Sequence, residues 1–526
     1  MIAKTLKSAL ETITPQSLLK HIEILACDRF EGRAPGTEGE RLTLDYLTGI
    51  CGQLGLAPAG DNHTYLQSMD VTGLTAHGKA TFSKGASKLE LTPMDDIVVR
   101  SQWQEPEVKV ESDLVFVGYG IVAPEYGWDD YKDVDVRGKT VVMLIGDPSR
   151  PDKNNPDKLD EKFFKGKALT YYGRWTYKYE IASKKGAAAV LIVHDTAKAG
   201  YGWDVVQASW GGESFGLAPD PMRVKAEGWI SDATAKKTFA LAGQSFDQLH
   251  AAAQKVDFKP VALGVTANLT IANTMRHFRS ANVIAKIEGS DPALKHECIF
   301  YSAHWDHFGK REKDGKTEIL SGALDNGSGV SVVLEIAKSL TLLDKPPRRS
   351  VYFLFTTLEE YGLLGSQHYV QSPVVPLKDT VAIINFDILN PWGRTKNLVS
   401  VAQGHSSLDQ VLERTASEQN RTICGDPEPD KGYFFRSDHF EFVRQGVPAL
   451  FILNPGDDFI DKPAGYGEQR RIEYLCHCYH KAADKVNPDW DLSGMVEDAQ
   501  LLLKTGLAVA NSETRPVWNQ DSEFGK

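Results

Sequence analysis

The chain has 526 residues, 42% hydrophobic and 25% charged, which is the mix of a folded globular protein too long for one ordinary core. Its 59 Lys and Arg against 70 Asp and Glu give a net charge of -11 with no basic stripe, which argues against a nucleic-acid partner. No apolar run approaches the ~18 residues that span a bilayer, so no membrane partner is expected, and residues 1–25 carry no continuous apolar stretch of the kind an export signal needs.

From Pro15 to Leu54 apolar residues recur at helical spacing (Leu18, Leu19, Ile22, Leu25, then Leu42, Tyr46, Leu47), broken by a polar, glycine-bearing segment at 27–39, and the pattern predicts helix, loop, helix. Short alternating runs and turns follow up to about residue 108. The next stretch holds short apolar runs at 114–121, 139–145 and 187–193, joined by aromatic and Gly/Pro-rich loops, and predicts a compact, inserted β-rich module. From about Asn282 an apolar run, a polar loop and a helix alternate, which predicts an α/β fold whose sheet is covered on both faces. The runs are 298–301, 351–355, 381–386 and 447–453. Val330, Val333, Leu334 and Ala337 mark a packed helix after the turn Asn326-Gly-Ser328, and 495–510 reads as another amphipathic helix. The expected divisions are 1–108, an insertion at 109–275, and a catalytic part at 276–526.

In such sheets the site forms where the strands end, so the polar residues after each apolar run are the candidates. They are His304, Asp306 and His307 after the first run, Glu359 and Glu360 after the second, and Asp387 after the third; Asp325 precedes the first crossover helix. Singly, each has an ordinary explanation as a cap, a turn or a solvated pair. Together, so many acidic and imidazole groups at neighbouring strand ends are costly to crowd unless cations neutralise them. The segment 475–484 offers a further ligand in His480; Cys476, His477, Cys478 and His480 could instead form a self-contained zinc cluster, although structural sites usually bring two ligand pairs with a longer spacer. All six cysteines are too scattered for a disulfide framework. Nitrogen and oxygen donors in this proportion suit two Zn2+ ions ~3.5 to 4 Å apart, sharing one carboxylate and one water, a centre able to cleave amides with the help of a free carboxylate.

At these residues the chain resembles the zinc aminopeptidase and glutamate carboxypeptidase family. The resemblance rests on AHWDHFG at 303–309, GALDNGSG at 322–329, LEEYGLLGS at 358–366, NFD at 385–387, SDHFEFVRQGVPA at 437–449 and YHKAAD at 479–484, with FEGRAPGTEG at 30–39 as an opening segment. The stretch 115–144 together with KKGAAAVLIVHD at 184–195 resembles a protease-associated domain. The resemblance implies a mixed, mostly parallel sheet flanked by helices. It also implies two zinc ions, one held by His304 and Asp387, the other by Glu360 and His480, with Asp325 between them. Glu359 is then the general base and Asp306 orients His304. Tyr479 is a candidate donor to the developing oxyanion or a packing residue, while Arg436 and Asp438 contact substrate ends or pair with each other. Asn326 stands where many members have a second acidic residue, which removes no ligand.

The expected activity is removal of N-terminal residues from peptides with a free N-terminus. A carboxypeptidase or dipeptidase gripping a terminal carboxylate is the alternative enzyme, with glutaminyl cyclisation a lesser variant, and a non-catalytic binding protein on the same scaffold is the alternative class. The resemblance points to a periplasmic or secreted protein.

Overall fold

The computed structural model describes residues 5–313, 315–456 and 458–525. The chain forms two compact units, one made of the residues up to Met69, Arg279–Pro427 and the residues from Tyr433 onward, the other of Asp70–Phe278 with Glu428–Gly432.

In the first unit the strands Cys298–His304, Ser350–Thr356, Thr380–Phe386 and Ala449–Pro455 form the centre of the sheet. Cys298–His304 lies between Ser350–Thr356 and Thr380–Phe386, parallel to both, and Ala449–Pro455 extends the parallel set beyond Thr380–Phe386. Residues 283–287 add an antiparallel strand against 351–355. Alternate side chains enter separate layers. Ile299, Tyr301, Phe353, Phe355, Ile384 and Phe386 join the core that includes Leu18 and Ile22 of the helix Pro15–Leu25, Val333 and Ile336 of Gly329–Thr341, and Leu502 of Ser493–Asn511. On the other face Phe300 meets Tyr352, Tyr369 and Phe442 with ring centroids 5.1, 5.3 and 5.6 Å away. Both faces are therefore dry, and this is why the strands read as continuous apolar runs without alternation.

The opening segment is helix, loop, helix, with Pro15–Leu25 started by a capping box between Thr14 and Ser17 and Glu38–Gln53 following the loop. The helix Gly329–Thr341 receives its first-turn bond from Asn326, whose Oδ1 accepts from the Gly329 amide at 2.8 Å.

The second unit begins at Asp70 and ends at Phe278, whereas the sequence reading starts the insertion at 109 and ends it at 275. The reason is pairing that short alternating runs do not reveal: residues 80–84 pair with 87–91, and Ile97–Arg100 pairs with Ala226–Ile230. The unit also carries more helix than a β-rich module implies. Its strands Glu107–Phe116, Thr140–Leu144, Ala189–Val193 and Ala226–Ile230 run parallel in that order, and the helices Trp175–Lys184 and Asp232–Ala242 belong to it. No helix among the described residues is long and apolar enough to cross a membrane.

Candidate metal centre

The parallel register aligns the carboxyl ends of three strands, with His304 opposite Thr356 and Ser302 opposite Asn385, so the loops that follow converge. Into this space come His304 from the last position of its strand, Glu359 and Glu360 from the loop after Ser350–Thr356, and Asp387 directly after Thr380–Phe386. Asp325 enters from the turn before the helix Gly329–Thr341, and His480 from the segment after the helix Tyr466–His477. Leu358, Ile388 and His480 all have positive φ, of 56°, 51° and 55°. Each is a donor or the immediate neighbour of one, and left-handed backbone at a bulky residue persists only where the surroundings fix it.

Asp325 is the centre of the cluster. Its Oδ1 lies 3.3 Å from His304 Nε2 and its Oδ2 lies 3.2 Å from His480 Nε2. Asp387 Oδ1 is 3.3 Å from His304 Nε2, and Glu360 Oε2 is 3.2 Å from His480 Nε2. Glu359 stands slightly back, with Oε2 3.9 Å from His304 Nε2. Donor atoms of His304, Asp325 and Asp387 fall within 4.8 Å of one another, as do those of His304, Glu359 and Glu360.

Burial penalises charge on all these groups, and the pattern of compensation shows where charge is held. Burial opposes ionisation of Asp325, yet contacts from His304 and His480 keep its carboxyl well below the usual range. Glu360, likewise buried and also facing the Asp325 carboxylate, is drawn down to about 2 by His480 and His307. His480 is pushed up to about 10 against its burial by Glu360 and Asp325, and His304 is raised well above its ordinary value by Glu359 and Asp387. Glu359 and Asp387 go the other way: burial raises both carboxyls, Glu359 well above the ordinary range, with the charges of Asp387, Glu360 and Asp438 adding at Glu359 and those of Asp325 and Glu360 at Asp387, while His304 opposes them at both. The cluster thus calls for positive charge between Asp325, Glu360, Asp387 and the imidazoles. Nε2 of His480 is buried and makes no hydrogen bond among the described residues, although two carboxylate oxygens lie 3.2 Å away. A ring nitrogen aimed between two carboxylates fits a cation held among them, and the nitrogen and oxygen donors suit a divalent transition metal.

Asp306 acts differently from the expectation. Its main-chain carbonyl, at 3.2 Å, is the group that meets His304 Nδ1; its Oδ1 is 3.8 Å from that nitrogen and instead accepts the Glu359 amide at 3.1 Å. The carboxyl is fully buried and raised to about 8 by that burial, with the Glu360 and Asp438 charges adding to it against His304. Asp438 is a correction. It does not line the cleft: it is completely buried, and Thr356 Oγ1 donates to its Oδ2. No ion pair joins it to Arg436 among the described residues.

Tyr479 and Arg436 do line a cavity of about 120 Å³ beside the carboxylates, together with Ile388, Tyr433, Phe451 and Leu453. Tyr479 stacks on His480 with ring centroids 3.7 Å apart.

Three residues without an assigned role from the sequence belong to the cluster or its frame. His307 is buried with Nδ1 2.6 Å from Glu360 Oε1, and its donors group with Asp325 and Glu360; the HWDH run was visible, but nothing in it distinguishes the second histidine. Asp484 accepts from the amides of Leu324 at 3.0 Å and Asp325 at 3.1 Å. Arg33, fully buried, reaches the same loop from the opening segment. Cys476 and Cys478 do not appear in the groups of candidate ligands among the described residues.

The chain is similar to known peptidases. Residues 282–503 match the model of Peptidase family M28. A probable leucine aminopeptidase 2 of Aspergillus fumigatus is 30% identical over 196 residues, covering 35% of this chain and 35% of that protein. Its counterpart from Aspergillus oryzae is 27% identical over 232 residues, 42% and 43% of the two chains. The chain therefore spans about two-fifths or less of the length of these curated relatives. The solved aminopeptidase from Aneurinibacillus sp. strain AM-1 superposes over 97% of both chains with a TM-score of 0.51 at 18% identity, which shows a shared fold.

Proposed function

We propose, from the premise that residues 282–503 belong to peptidase family M28, that the chain is a two-zinc aminopeptidase. One observation carries the reading: the two oxygens of Asp325 face two different imidazoles, at 3.3 and 3.2 Å, each with its own second carboxylate. One ion would be held by His304 and Asp387, the other by His480 and Glu360, with Asp325 shared. Bound zinc supplies Lewis acidity, polarising the scissile carbonyl and acidifying water at the site.

The chain's own groups do the rest. Glu359 lines the cavity and stands back from the imidazoles, with Oε2 3.9 Å from His304 Nε2, a placement that suits a group that takes a proton from the attacking water and returns it to the leaving amine. Asp306 fixes both partners, through its carbonyl to His304 and its carboxylate to the Glu359 amide. The acidic wall of Glu359 and Asp387 suits a free substrate amine, and Ile388, Phe451 and Leu453 suit an apolar side chain beside it. Tyr479, on the cavity wall, is the candidate donor to the developing oxyanion. The unit Asp70–Phe278 is proposed as a protease-associated domain, on the motifs at 115–144 and 184–195.

The test is metal analysis together with hydrolysis of leucine anilide and its N-acetylated form. Two zinc ions per chain and cleavage of the free amine alone are expected; equal cleavage of the blocked substrate would overturn the aminopeptidase assignment. A dipeptidase reading is favoured by Arg436, which lines the cavity with its Nε buried and without a hydrogen bond among the described residues. Faster cleavage of Leu-Leu than of its amide, with the difference lost in Arg436→Gln, would favour it.

A further inference from the structure

Arg33 lies on the loop between the helices Pro15–Leu25 and Glu38–Gln53, far in sequence from every candidate ligand, and is 1% exposed. A buried arginine ordinarily faces a carboxylate, because an unpaired buried charge is costly. Here the hydrogen bonds go to main-chain carbonyls of three separate segments. Nε donates to Trp305 O at 2.8 Å, Nη1 to Leu25 O at 2.8 Å and Ser321 O at 2.6 Å, and Nη2 to Gly322 O at 2.8 Å. Trp305 directly follows His304, and Gly322 opens the turn that delivers Asp325. One planar fork therefore fixes the spacing between the two loops that carry the shared carboxylate and one of its imidazoles, and ties both to the end of a packed helix. Burial draws the guanidinium below its ordinary range, and Asp484, Asp325, Asp306 and Glu360, acting through space, only partly oppose it.

Gly322 shows how tightly the fork is seated. The residue has φ 56°, and a Cβ there would lie 2.2 Å from Asp325 O, 2.7 Å from His307 Cγ and 2.8 Å from Arg33 Nη2, so the turn requires glycine and the guanidinium is one of three groups packed against it.

We propose that Arg33 is a positioning residue of the metal centre, setting the His304 to Asp325 geometry through its carbonyl bonds and not through its charge. This rests on the two-zinc reading. Lysine keeps the charge but cannot form a four-bond fork, and methionine keeps neither.

The experiment measures zinc affinity of the full chain by competition with a chromophoric chelator, in Arg33→Lys, Arg33→Met and a control, Arg349→Met. Arg349 is equally buried in the same unit and also bonds carbonyls, Val509 O and Ser512 O, but it stands at the opposite end of its strand from Glu359. Circular dichroism establishes the folded fraction to which affinity is normalised. Both Arg33 variants should bind zinc about tenfold or more weakly, the range found when groups that orient ligands are removed, while Arg349→Met lowers Tm and leaves zinc affinity unchanged. Wild-type affinity in Arg33→Lys with altered affinity in Arg33→Met would overturn the proposal in favour of charge. Unchanged affinity in both, or failure of both to fold, would also overturn it, leaving Arg33 as part of the general fold. If the wild type itself binds no zinc, it is the two-zinc reading that fails.

Discussion

Asp484 holds Asp325 by the backbone: its Oδ2 accepts the Asp325 amide at 3.1 Å while its Oδ1 accepts the Leu324 amide at 3.0 Å. Tyr474 also donates to Oδ2, at 3.2 Å. Replacing Asp484 by Ala leaves two buried amides unpaired, at a cost of about 1–3 kcal/mol each. Chemical denaturation of Asp484→Ala should show that loss, and zinc titration should show weaker binding by about 10–100-fold, since the turn that presents Asp325 loses its anchor.

Glu359 has a separate expectation. Glu359→Gln keeps the shape and the place of the side chain but removes the proton acceptor. Steady-state kinetics should give a kcat lower by a factor of about 10²–10⁴ with zinc content unchanged. Retained turnover would assign the base elsewhere.

Removing metal tests the charge pattern directly. Asp325, Glu360 and Asp387 are crowded together, and on the two-zinc reading bound cations would offset their repulsion. Dialysis against a chelator should abolish hydrolysis and lower Tm. Readdition of zinc at 100 times its Kd should return about 2.7 kcal/mol of stability for each site that fills.

His439 gives a pH dependence away from the metal. Its ring is completely buried between Phe434 and Phe451, at centroid distances of 5.2 and 4.5 Å, and burial depresses its pKa to about 3 from an ordinary 6.5. Below pH 6.5 the unfolded chain takes up this proton and the folded chain does not, so the contribution to stability is full above 6.5 and is lost as the pH falls toward 3. The slope from one such proton approaches about 1.4 kcal/mol per pH unit. His439→Phe removes the titrating group, and urea denaturation at several pH values should show a flatter acid limb than the wild type.

Much of the first unit was legible because its physics is local. Strands such as Thr380–Phe386 are buried on both faces, so the apolar run itself marks them, and the donors sit where those runs stop. Asp387 needed no more than that. The second unit was less legible: Ile97–Arg100 is a strand because Ala226–Ile230 lies beside it, and a partner that distant leaves no period in the sequence. Asp438 misled for a related reason. An aspartate two residues from an arginine reads as its partner or as a substrate contact, whereas its partner is the hydroxyl of Thr356, at the end of a strand far away in sequence. Arg33 and Asp484 act through main-chain atoms of residues far away, and backbone contacts have no signature in residue type.

The donors span the chain from His304 to His480, and Arg33 precedes them all. A ribosome that has just released Asp387 has delivered the four carboxylates Asp325, Glu359, Glu360 and Asp387 and the imidazoles of His304 and His307, but neither His480 nor Asp484. The emerging polypeptide holds a concentration of negative charge that nothing yet balances, and a stray cation could seize it in the wrong arrangement. On the two-zinc reading, the complete set of ligands exists only after residue 480 has been made, so the finished pocket would load after synthesis.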